Sequence, residues 1–354
     1  MRIDAIKIEE EIKNLIERMH SVKSLTEYKK IKYSILNLID IYETLTCTIR
    51  SYKMPINEYY ENLIYRKTCN EAYKIEEFLN RKEEYKKFID KVLKTFDEEE
   101  YEPLIKKQSR IIEQESIDLI RSFFNEYDPK LDKLFLNSID GLIDSNNRKI
   151  ISTNFTSNIP ALNKSYILVN DNNCVEDVIT LIHEIGHVYQ FSVLNNISLN
   201  QICALEKYGY LEVFSMFLET IFVDYLKQNR IMVEDALISE NHFYEWVLSE
   251  FNKLDELTEF NSPECFYDLN IFDEFNNSLL YSCGGLTALE LNNHYNQDKK
   301  ETKRKIDLFI SYSGLNDYDE MLKYLDIKKE DIYSSKVLKK KLNKHKKEVK
   351  NHYN

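Results

Sequence analysis

Glycine is absent from the first 140 residues of this 354-residue chain, and the first glycine is Gly141. The whole chain contains six glycines and five prolines. Because these two residue types form turns and terminate helices, a long stretch with so few of them predicts long helices and few tight turns. Apolar residues recur at helical spacing in the first predicted helix, at Ile8, Ile12, Leu15 and Met19. The first 140 residues are therefore predicted to form a helical region.

Start and stop signals divide this region into separate helices. Ser24 followed by Glu27 is typical of a capping box, and it opens a second helix that runs toward Tyr52. Pro55 ends that helix, and a third helix is predicted over 57–96. Further helical pieces are bounded by two more prolines, Pro103 and Pro129.

The pattern changes between Gly141 and Asp171. Two short runs rich in β-forming residues, LIDSNNRKIISTNF and SYILVND, flank the turn-forming stretch SNIPALNK, which predicts a small hairpin or sheet. Helices are then predicted over 174–193, 205–228, 240–259, 270–296 and 301–312. The sequence therefore divides, without a linker, into an N-terminal helical region, 1–140, and a second region, 141–354.

The first of these later helices carries His183-Glu184-Ile185-Gly186-His187, an H-E-x-x-H motif in an apolar helical pattern. Histidines four residues apart lie about one turn from each other on one helix face, so both imidazoles can reach one metal ion. Glu184 can then accept a proton from a water molecule on the open side of that ion and pass it to a leaving amine. The motif predicts a catalytic zinc site, but it also arises by chance and needs support from elsewhere.

A third ligand is predicted on the following helix. Glu212 begins a segment in which Ser215 follows one turn later and Glu219 two turns later. The same segment contains the apolar residues Leu211, Phe214 and Leu218. This composition disfavours a solvated face, so Glu212 is expected to complete the site with His183 and His187. Glu219 is expected to accept a hydrogen bond from a ligand imidazole.

Together, NCVEDVITLIHEIGH and LEVFSMFLE resemble the oligoendopeptidase F and thimet oligopeptidase family of zinc metallopeptidases. That family has H-E-x-G-H followed by E-x-x-S-x-x-x-E at this distance, and Glu212 matches its third ligand. Three further stretches are similar to the family: SYILVND, YSCGGLTALEL and LFISYSGLNDYDEMLKYLDI. The resemblance covers roughly residues 150–335, and this chain is shorter than typical members.

The resemblance implies a mainly α fold of the gluzincin type. We expect a multi-helical zincin with a small β-hairpin or sheet beside the metal helix, two helical walls around a substrate cleft, and one zinc ion per chain. Strands beside such metal sites can bind a peptide backbone by strand addition, or can merely brace the site. The candidate substrate-binding residues are accordingly Tyr166, Ile167, Leu168 and Val169. Asp177 is expected to act in the first turn of the metal helix or around the ligands, not as a ligand.

The chain departs from the family at positions that stabilise the tetrahedral intermediate. Family members often carry a histidine three residues after the second ligand, where this chain has Gln190. They also carry a histidine and several tyrosines before the YSCGG segment. The matching positions here are Ile271, Asn277 and Leu279, and only Tyr281 keeps its match. Tyr281 is therefore the candidate oxyanion donor, with a packing role in the cleft wall as the alternative.

Composition narrows the class of partner. The net charge of −12 disfavours a nucleic-acid partner. The tail from Lys336 is an exception, because eight lysines and one glutamate give it a charge of +7; a solvated or fraying helix is favoured there over an anchor. Six scattered cysteines, no signal peptide and no membrane-spanning run predict a reduced, cytoplasmic protein without a membrane partner.

These observations predict a zinc-dependent endopeptidase or oligopeptidase that hydrolyses short or unfolded peptides, with Glu184 as the general base. A processing peptidase of narrow specificity is one alternative. A zinc-retaining peptide-binding protein with little turnover is another, and the missing tyrosines and Gln190 motivate it. The intact Glu184 argues against pure binding, because a binding protein has no need of that base.

Overall fold

The computed structural model describes residues 1–47, 81–99, 101, 104, 106–146, 154–195, 211–259, 269–313, 315 and 318–353. Within these residues the chain is mainly helical, and one three-stranded sheet packs against the helix that carries the H-E-x-x-H motif. This confirms the predicted fold class, mainly α with a small β element beside the metal helix. The pair of helical walls around a cleft stays a prediction.

Before Asn170 the described residues form five helices and three strands: α1 (Ala5–Ser21), α2 (Leu25–Thr46), α3 (residues 81–98), α4 (Glu113–Tyr127), α5 (Pro129–Ile139), β1 (Ile143–Ser145), β2 (Phe155–Ile159) and β3 (Lys164–Val169). After it they add α6 (Val175–Leu194), α7 (Leu211–Asn229), α8 (Val233–Thr258), α9 (Leu269–Gln297), α10 (Lys299–Tyr312), α11 (Tyr318–Leu322), α12 (Lys329–Tyr333) and α13 (Lys336–Tyr353). The predicted helix over 57–96 lies partly outside the described residues.

Local signals explain where the first two helices begin. Asp4 accepts a hydrogen bond from the backbone N–H of Ile6 at 2.9 Å and so caps α1. All four apolar residues predicted on one face of this helix are buried. Ser24 caps α2 as predicted, by accepting the N–H of Glu27 at 3.4 Å. That helix ends at Thr46, earlier than expected, because Cys47 takes a left-handed conformation with φ of 52°.

The later helices agree with prediction to within a few residues, with one exception, and the predicted helix start at residue 205 lies outside the described residues. Helix α8 begins at Val233 and not at residue 240. The break before it comes from Arg230 and Met232, whose positive φ angles of 58° and 44° cannot continue a helix. The sequence pattern missed this start because neither residue is a typical turn former.

The packing divides the chain into two units that alternate along the sequence. One comprises Met1–Tyr52, Lys107–Ala204 and Asp224–Ile231; the other comprises Lys53–Lys106, Leu205–Val223 and Met232–Asn354. Helix α7 contributes residues to both. The division into 1–140 and 141–354 describes a change from helices to strands, which falls inside the first unit, and it stays a sequence-based prediction.

The sheet of the first unit has the order β1-β3-β2. Strand β1 pairs with β3 in parallel, with Ile143 opposite Ile167. Strand β2 pairs with β3 in the antiparallel direction, with Thr156 opposite the same Ile167. A short turn at Pro160–Leu162 joins β2 to β3, and Asn163 closes it with φ of 51°. Strand β3 is therefore central, and among the described residues β2 has β3 as its one neighbouring strand.

An amide pair holds β2 against the end of α6. The side chains of Asn158 and Asn195 exchange two hydrogen bonds, at 3.0 and 3.1 Å. Asn158 also accepts the hydroxyl of Ser165 on β3 at 3.2 Å, and its carbonyl accepts the Asn37 amide of α2 at 2.7 Å. Because Asn158 is only 2% exposed, these partners replace the water that its amide would otherwise bind.

The basic tail forms α13, which is packed within the second unit. One face of this helix is buried through Leu338, Leu342 and His345. The Nδ1 atom of His345 lies 2.7 Å from Oε2 of Glu240. Its lysines include Lys339, whose Nζ lies 3.2 Å from Oε1 of Glu99. The expectation of a solvated or fraying helix is wrong for this buried face, because the apolar spacing of Leu338 and Leu342 provides a packing stripe.

Two expectations about the environment can be compared with the described residues. None of their helices is both long and apolar enough to span a membrane. The three cysteines among them, Cys47, Cys174 and Cys283, are free thiols, as expected.

The amide pair generates a stability prediction. Asn158→Ala is expected to lower the free energy of unfolding by about 1–3 kcal/mol, because it leaves buried polar partners without their hydrogen bonds. Urea denaturation measures this effect. Asn125→Ala is the matched control, since that exposed amide bonds only the Arg121 carbonyl of its own helix. The control should change stability by no more than about 0.5 kcal/mol, and equal effects of both variants would contradict the prediction.

Candidate metal centre

The metal helix α6 is capped by one of the residues predicted near the site. Oδ2 of Asp177, in the first turn, accepts the backbone N–H of Cys174 at 2.8 Å and that of Asn172 at 2.9 Å. These bonds satisfy donors that a helix start leaves unpaired. Burial raises the pKa of the Asp177 carboxyl. Asp177 therefore fills the first-turn alternative among its expected roles.

The two motif histidines converge on one point. Their Nε2 atoms face each other at 3.0 Å, across one turn of α6. Tetrahedral zinc binds histidine nitrogen at about 2.0–2.1 Å, so two nitrogen ligands of one ion lie roughly 3.3 Å apart. The observed separation is close to this value. His183 is half-buried and His187 is buried, which places the pair at the edge of the core.

The predicted third ligand joins this pair. Ligand atoms of His183, His187 and Glu212 all lie within 4.8 Å of one another, and among the described residues this is the one such group of three or more. Two imidazoles and one carboxylate are a ligand set of catalytic zinc sites. The donor chemistry and the spacing both fit a zinc ion. The three ligands expected from the sequence are thus brought together.

Glu212 is fixed by its own helix and by a close neighbour in the second unit. It is 4% exposed, and the buried Ser215 lies with its hydroxyl 3.4 Å from Oε2 of Glu212. Helix α9 passes Glu212 at Gly284, where an added Cβ atom would lie 2.9 Å from Cβ of Glu212. Such a contact is shorter than carbon atoms tolerate. Glycine at position 284 therefore allows α9 to approach the ligand, which gives a physical reason for the glycines of YSCGG.

Gln190 has a role that the sequence comparison did not assign. Its Oε1 atom lies 3.2 Å from Nδ1 of His187. If Nε2 of His187 binds a metal it carries no proton, so the proton of the neutral ring would lie on Nδ1 and be donated to Gln190. This bond fixes the ring orientation, as outer partners of metal ligands do. The position three residues after the second ligand therefore keeps a suitable acceptor although it lacks the histidine of the family.

Glu184, the predicted base, lies beside the histidines with a partner from the sheet. It is 4% exposed, and its Oε2 accepts the hydroxyl of Thr156 on β2 at 2.6 Å. The same hydroxyl lies 3.2 Å from the backbone carbonyl of Glu184. A buried carboxylate with a short, strong donor is held in one orientation. Nothing in the sequence marked Thr156, which lies 28 residues before Glu184.

The residues at the positions expected to stabilise an oxyanion are less clearly arranged than the candidate metal ligands. The ring of Tyr281, on α9, packs on that of Trp246 on α8, with centroids 5.0 Å apart. Asn277 is exposed and Leu279 is half-buried on the same helix, while the side chain of Ile271 lies outside the described residues. The contact with Trp246 supports a packing role for Tyr281. Its role as an oxyanion donor stays a prediction.

The predicted substrate-binding residues lie in a strand that cannot take up a peptide by strand addition. Residues Tyr166 to Val169 lie in β3, which is paired on one side with β1 and on the other with β2. Their side chains are buried, and the Tyr166 hydroxyl donates to Glu11 at 2.8 Å. Strand addition needs an unpaired edge. These four residues therefore cannot accept an added strand, whereas the edge strands β1 and β2 each have β3 as their one neighbouring strand among the described residues.

Glu219 lies half-buried on α7, two turns after Glu212. Its predicted hydrogen bond to a ligand imidazole remains a prediction.

Three solved structures have a fold similar to that of this chain. A protein assigned as oligoendopeptidase F from Bacillus anthracis str. Ames is 13% identical, with a TM-score of 0.51 over 91% of this chain and 63% of that chain. PZ peptidase A, with an inhibitor, is 13% identical, with a TM-score of 0.55 over 78% and 58%. Another protein assigned as oligoendopeptidase F is 10% identical, with a TM-score of 0.54 over 91% and 64%.

These comparisons concern the fold. No family model and no curated protein matches the sequence. The expected resemblance to oligoendopeptidase F is confirmed at the level of the fold. This chain spans between 58% and 64% of the length of the three solved chains.

The approach of α9 to Glu212 leads to a prediction about metal affinity. Gly284→Ala is expected to weaken zinc binding by at least about tenfold, because the new methyl group displaces the ligand helix. Isothermal titration with zinc measures the loss. Gly285→Ala is the matched variant, since its methyl group would meet Val247 at 2.7 Å instead of Glu212. A weaker effect of Gly284→Ala on zinc than of Gly285→Ala would contradict the role of Gly284.

Proposed function

We propose that this chain is a zinc-dependent peptidase that cleaves short or unfolded peptides. The observation that carries the proposal is the convergence of His183, His187 and Glu212 beside the buried Glu184. The likeness of the fold to oligoendopeptidase F structures supports the same class. Because the chain is shorter than those proteins, its activity and its substrates are proposed from its own residues.

The ligands and the base have separate roles. When bound, zinc supplies Lewis acidity that polarises a carbonyl oxygen and makes a water molecule acidic near neutral pH. His183, His187 and Glu212 hold the ion, and Gln190 keeps the His187 ring in the required tautomer. Glu184 accepts the proton of the attacking water and then donates it to the leaving amine.

The position of Glu184 suits this transfer. One carboxylate oxygen, Oε2, is occupied by Thr156, so Oε1 is the oxygen we assign to the proton. The base follows the first ligand directly in the chain and is not one of the three residues whose ligand atoms converge. A protein that only bound peptides would gain nothing from a buried carboxylate at this position.

The substrate would bind along the sheet. Among the described residues β2 has an unpaired edge, and its Thr156 contacts Glu184 directly. A peptide added to that edge would lie beside the base in an extended form. We propose this edge as the binding strand, supported from behind by the four buried residues of β3 that the sequence indicated.

There are two alternatives to a general oligopeptidase. The exposed Asn277 and the apolar Leu279, where the family carries tyrosine or histidine, favour a processing peptidase of narrow specificity over a general oligopeptidase. A zinc-retaining binding protein with little turnover is the other. The intact base and its dedicated hydrogen bond argue against it.

The base is tested by Glu184→Gln. This variant should keep one zinc per chain by elemental analysis, yet lose about 10²–10⁴-fold in kcat, since it cannot take the proton. Turnover is measured by mass spectrometry of a peptide library. Glu212→Ala is the complementary variant and should lose the metal together with the activity. Peptide cleavage by Glu184→Gln at the wild-type rate would contradict the mechanism.

The oxyanion role is tested by Tyr281→Phe. If the hydroxyl stabilises the transition state, kcat should fall by about 10²–10³-fold with little change in KM. The ring remains to pack on Trp246, so the melting temperature should not change. Tyr312→Phe is the control, because this exposed tyrosine stacks on Tyr324 in another part of the chain. Unchanged kinetics would assign Tyr281 to packing, because the phenylalanine ring preserves the contact with Trp246.

A further inference from the structure

We infer that Thr156 is a positioning residue that holds the general base from the sheet. The inference rests on the proposed function, because it concerns the carboxylate that would move the proton. Its basis is the 2.6 Å contact between Oγ1 of Thr156 and Oε2 of Glu184. Thr156 acts through Glu184, and no contact with substrate or metal is assigned to it.

The hydroxyl proton has one preferred acceptor. Thr156 Oγ1 lies within reach of two oxygens of Glu184, the carboxylate at 2.6 Å and the backbone carbonyl at 3.2 Å. A hydroxyl has a single proton to donate. The distance to the carboxylate oxygen lies within the range of about 2.5–2.7 Å that is typical of strong hydroxyl-to-carboxylate hydrogen bonds. The proton therefore points to the carboxylate, and the hydrogen bond fixes its rotation.

The strand that carries Thr156 is itself fixed to the metal helix. Residues two apart on a strand point to the same face, so Thr156 and Asn158 both face α6. Asn158 holds the far end of α6 through its amide pair with Asn195. Strand β2 thus has two side-chain attachments to one helix. The position of the Thr156 hydroxyl is set by this frame and does not depend on a flexible loop.

The type of residue matters as well. A β-branched side chain is restricted at χ1, so threonine presents its hydroxyl in a defined direction. Glutamate has three rotatable bonds, and in a site open to substrate it would otherwise sample several orientations. Anchoring one oxygen leaves the other in a single place for the water. Proton transfer needs such placement, because a displacement of about 1 Å can cost 10²-fold in rate.

The kinetic test uses the zinc-loaded full chain and the peptide that the wild type cleaves best. Thr156→Val keeps the shape and removes the donor, and we expect kcat to fall about 10–100-fold with KM unchanged. Thr156→Ser restores the donor and should recover kcat to within about threefold of wild type. Thr95→Val is the control, because that buried hydroxyl bonds the Lys91 carbonyl within α3. It should leave kcat unchanged.

A second measurement does not depend on activity. In the zinc-free protein, urea midpoints are compared for wild type, Thr156→Val, Glu184→Ala and the double variant. A hydrogen bond between the two residues makes their effects non-additive, so the double variant should shift the midpoint by less than the sum. Additive shifts would overturn the inference. This cycle can be measured even if the wild type cleaves no peptide. That result would contradict the proposed function but not the hydrogen bond between Thr156 and Glu184.

The remaining outcomes are also decisive. An active wild type with a Thr156→Val variant of equal kcat overturns the positioning role and leaves the peptidase proposal standing. A fall in kcat that Thr156→Ser does not reverse assigns the effect to packing and likewise overturns it. If Thr156→Val does not fold, Thr156→Ala removes the same hydroxyl without a new methyl contact. The same fall in kcat is then expected of Thr156→Ala.

Discussion

The candidate site depends on burying ionisable groups in a helix whose other buried residues are mostly apolar. Helix α6 buries Glu184 and His187 among residues such as Ile182 and Ile185. Each buried polar group needs a partner, because an unpaired one costs as much as a lost hydrogen bond or more. Gln190 provides the partner for His187, and the sheet provides one for Glu184. The fold around α6 is therefore organised by these pairings as much as by apolar packing.

This requirement connects the sheet to the chemistry. A small sheet needs a covered apolar face to be stable, and β2 is attached to α6 through Asn158 and Asn195. The same face of the strand then supplies Thr156 to the base. One structural attachment thus serves both stability and orientation. In the second unit, Gly284 has no side chain and therefore lets α9 approach α7 closely at Glu212, where a larger residue would separate the two helices.

The departures from the oligoendopeptidase pattern fall unevenly on the molecule. The candidate metal ligands are brought together and the candidate base Glu184 is retained in the sequence, while Gln190 stands where the family has a histidine and offers an acceptor to His187. Around Tyr281, the family's histidine and tyrosines are replaced by Ile271, Asn277 and Leu279. A site that keeps its metal chemistry but alters its stabilising donors fits a peptidase with a restricted set of substrates.

The sequence by itself determined the elements that rest on local spacing. The missing glycines predicted helices, the cap at Ser24 was readable, and the four-residue spacing put His183 and His187 on one face. Glu212 was found because its helical face was apolar. The tertiary structure alone decided which strand is central, since strand order depends on pairing between distant segments. It also decided that Thr156 meets Glu184, because a contact across 28 residues leaves no periodic signal in the chain.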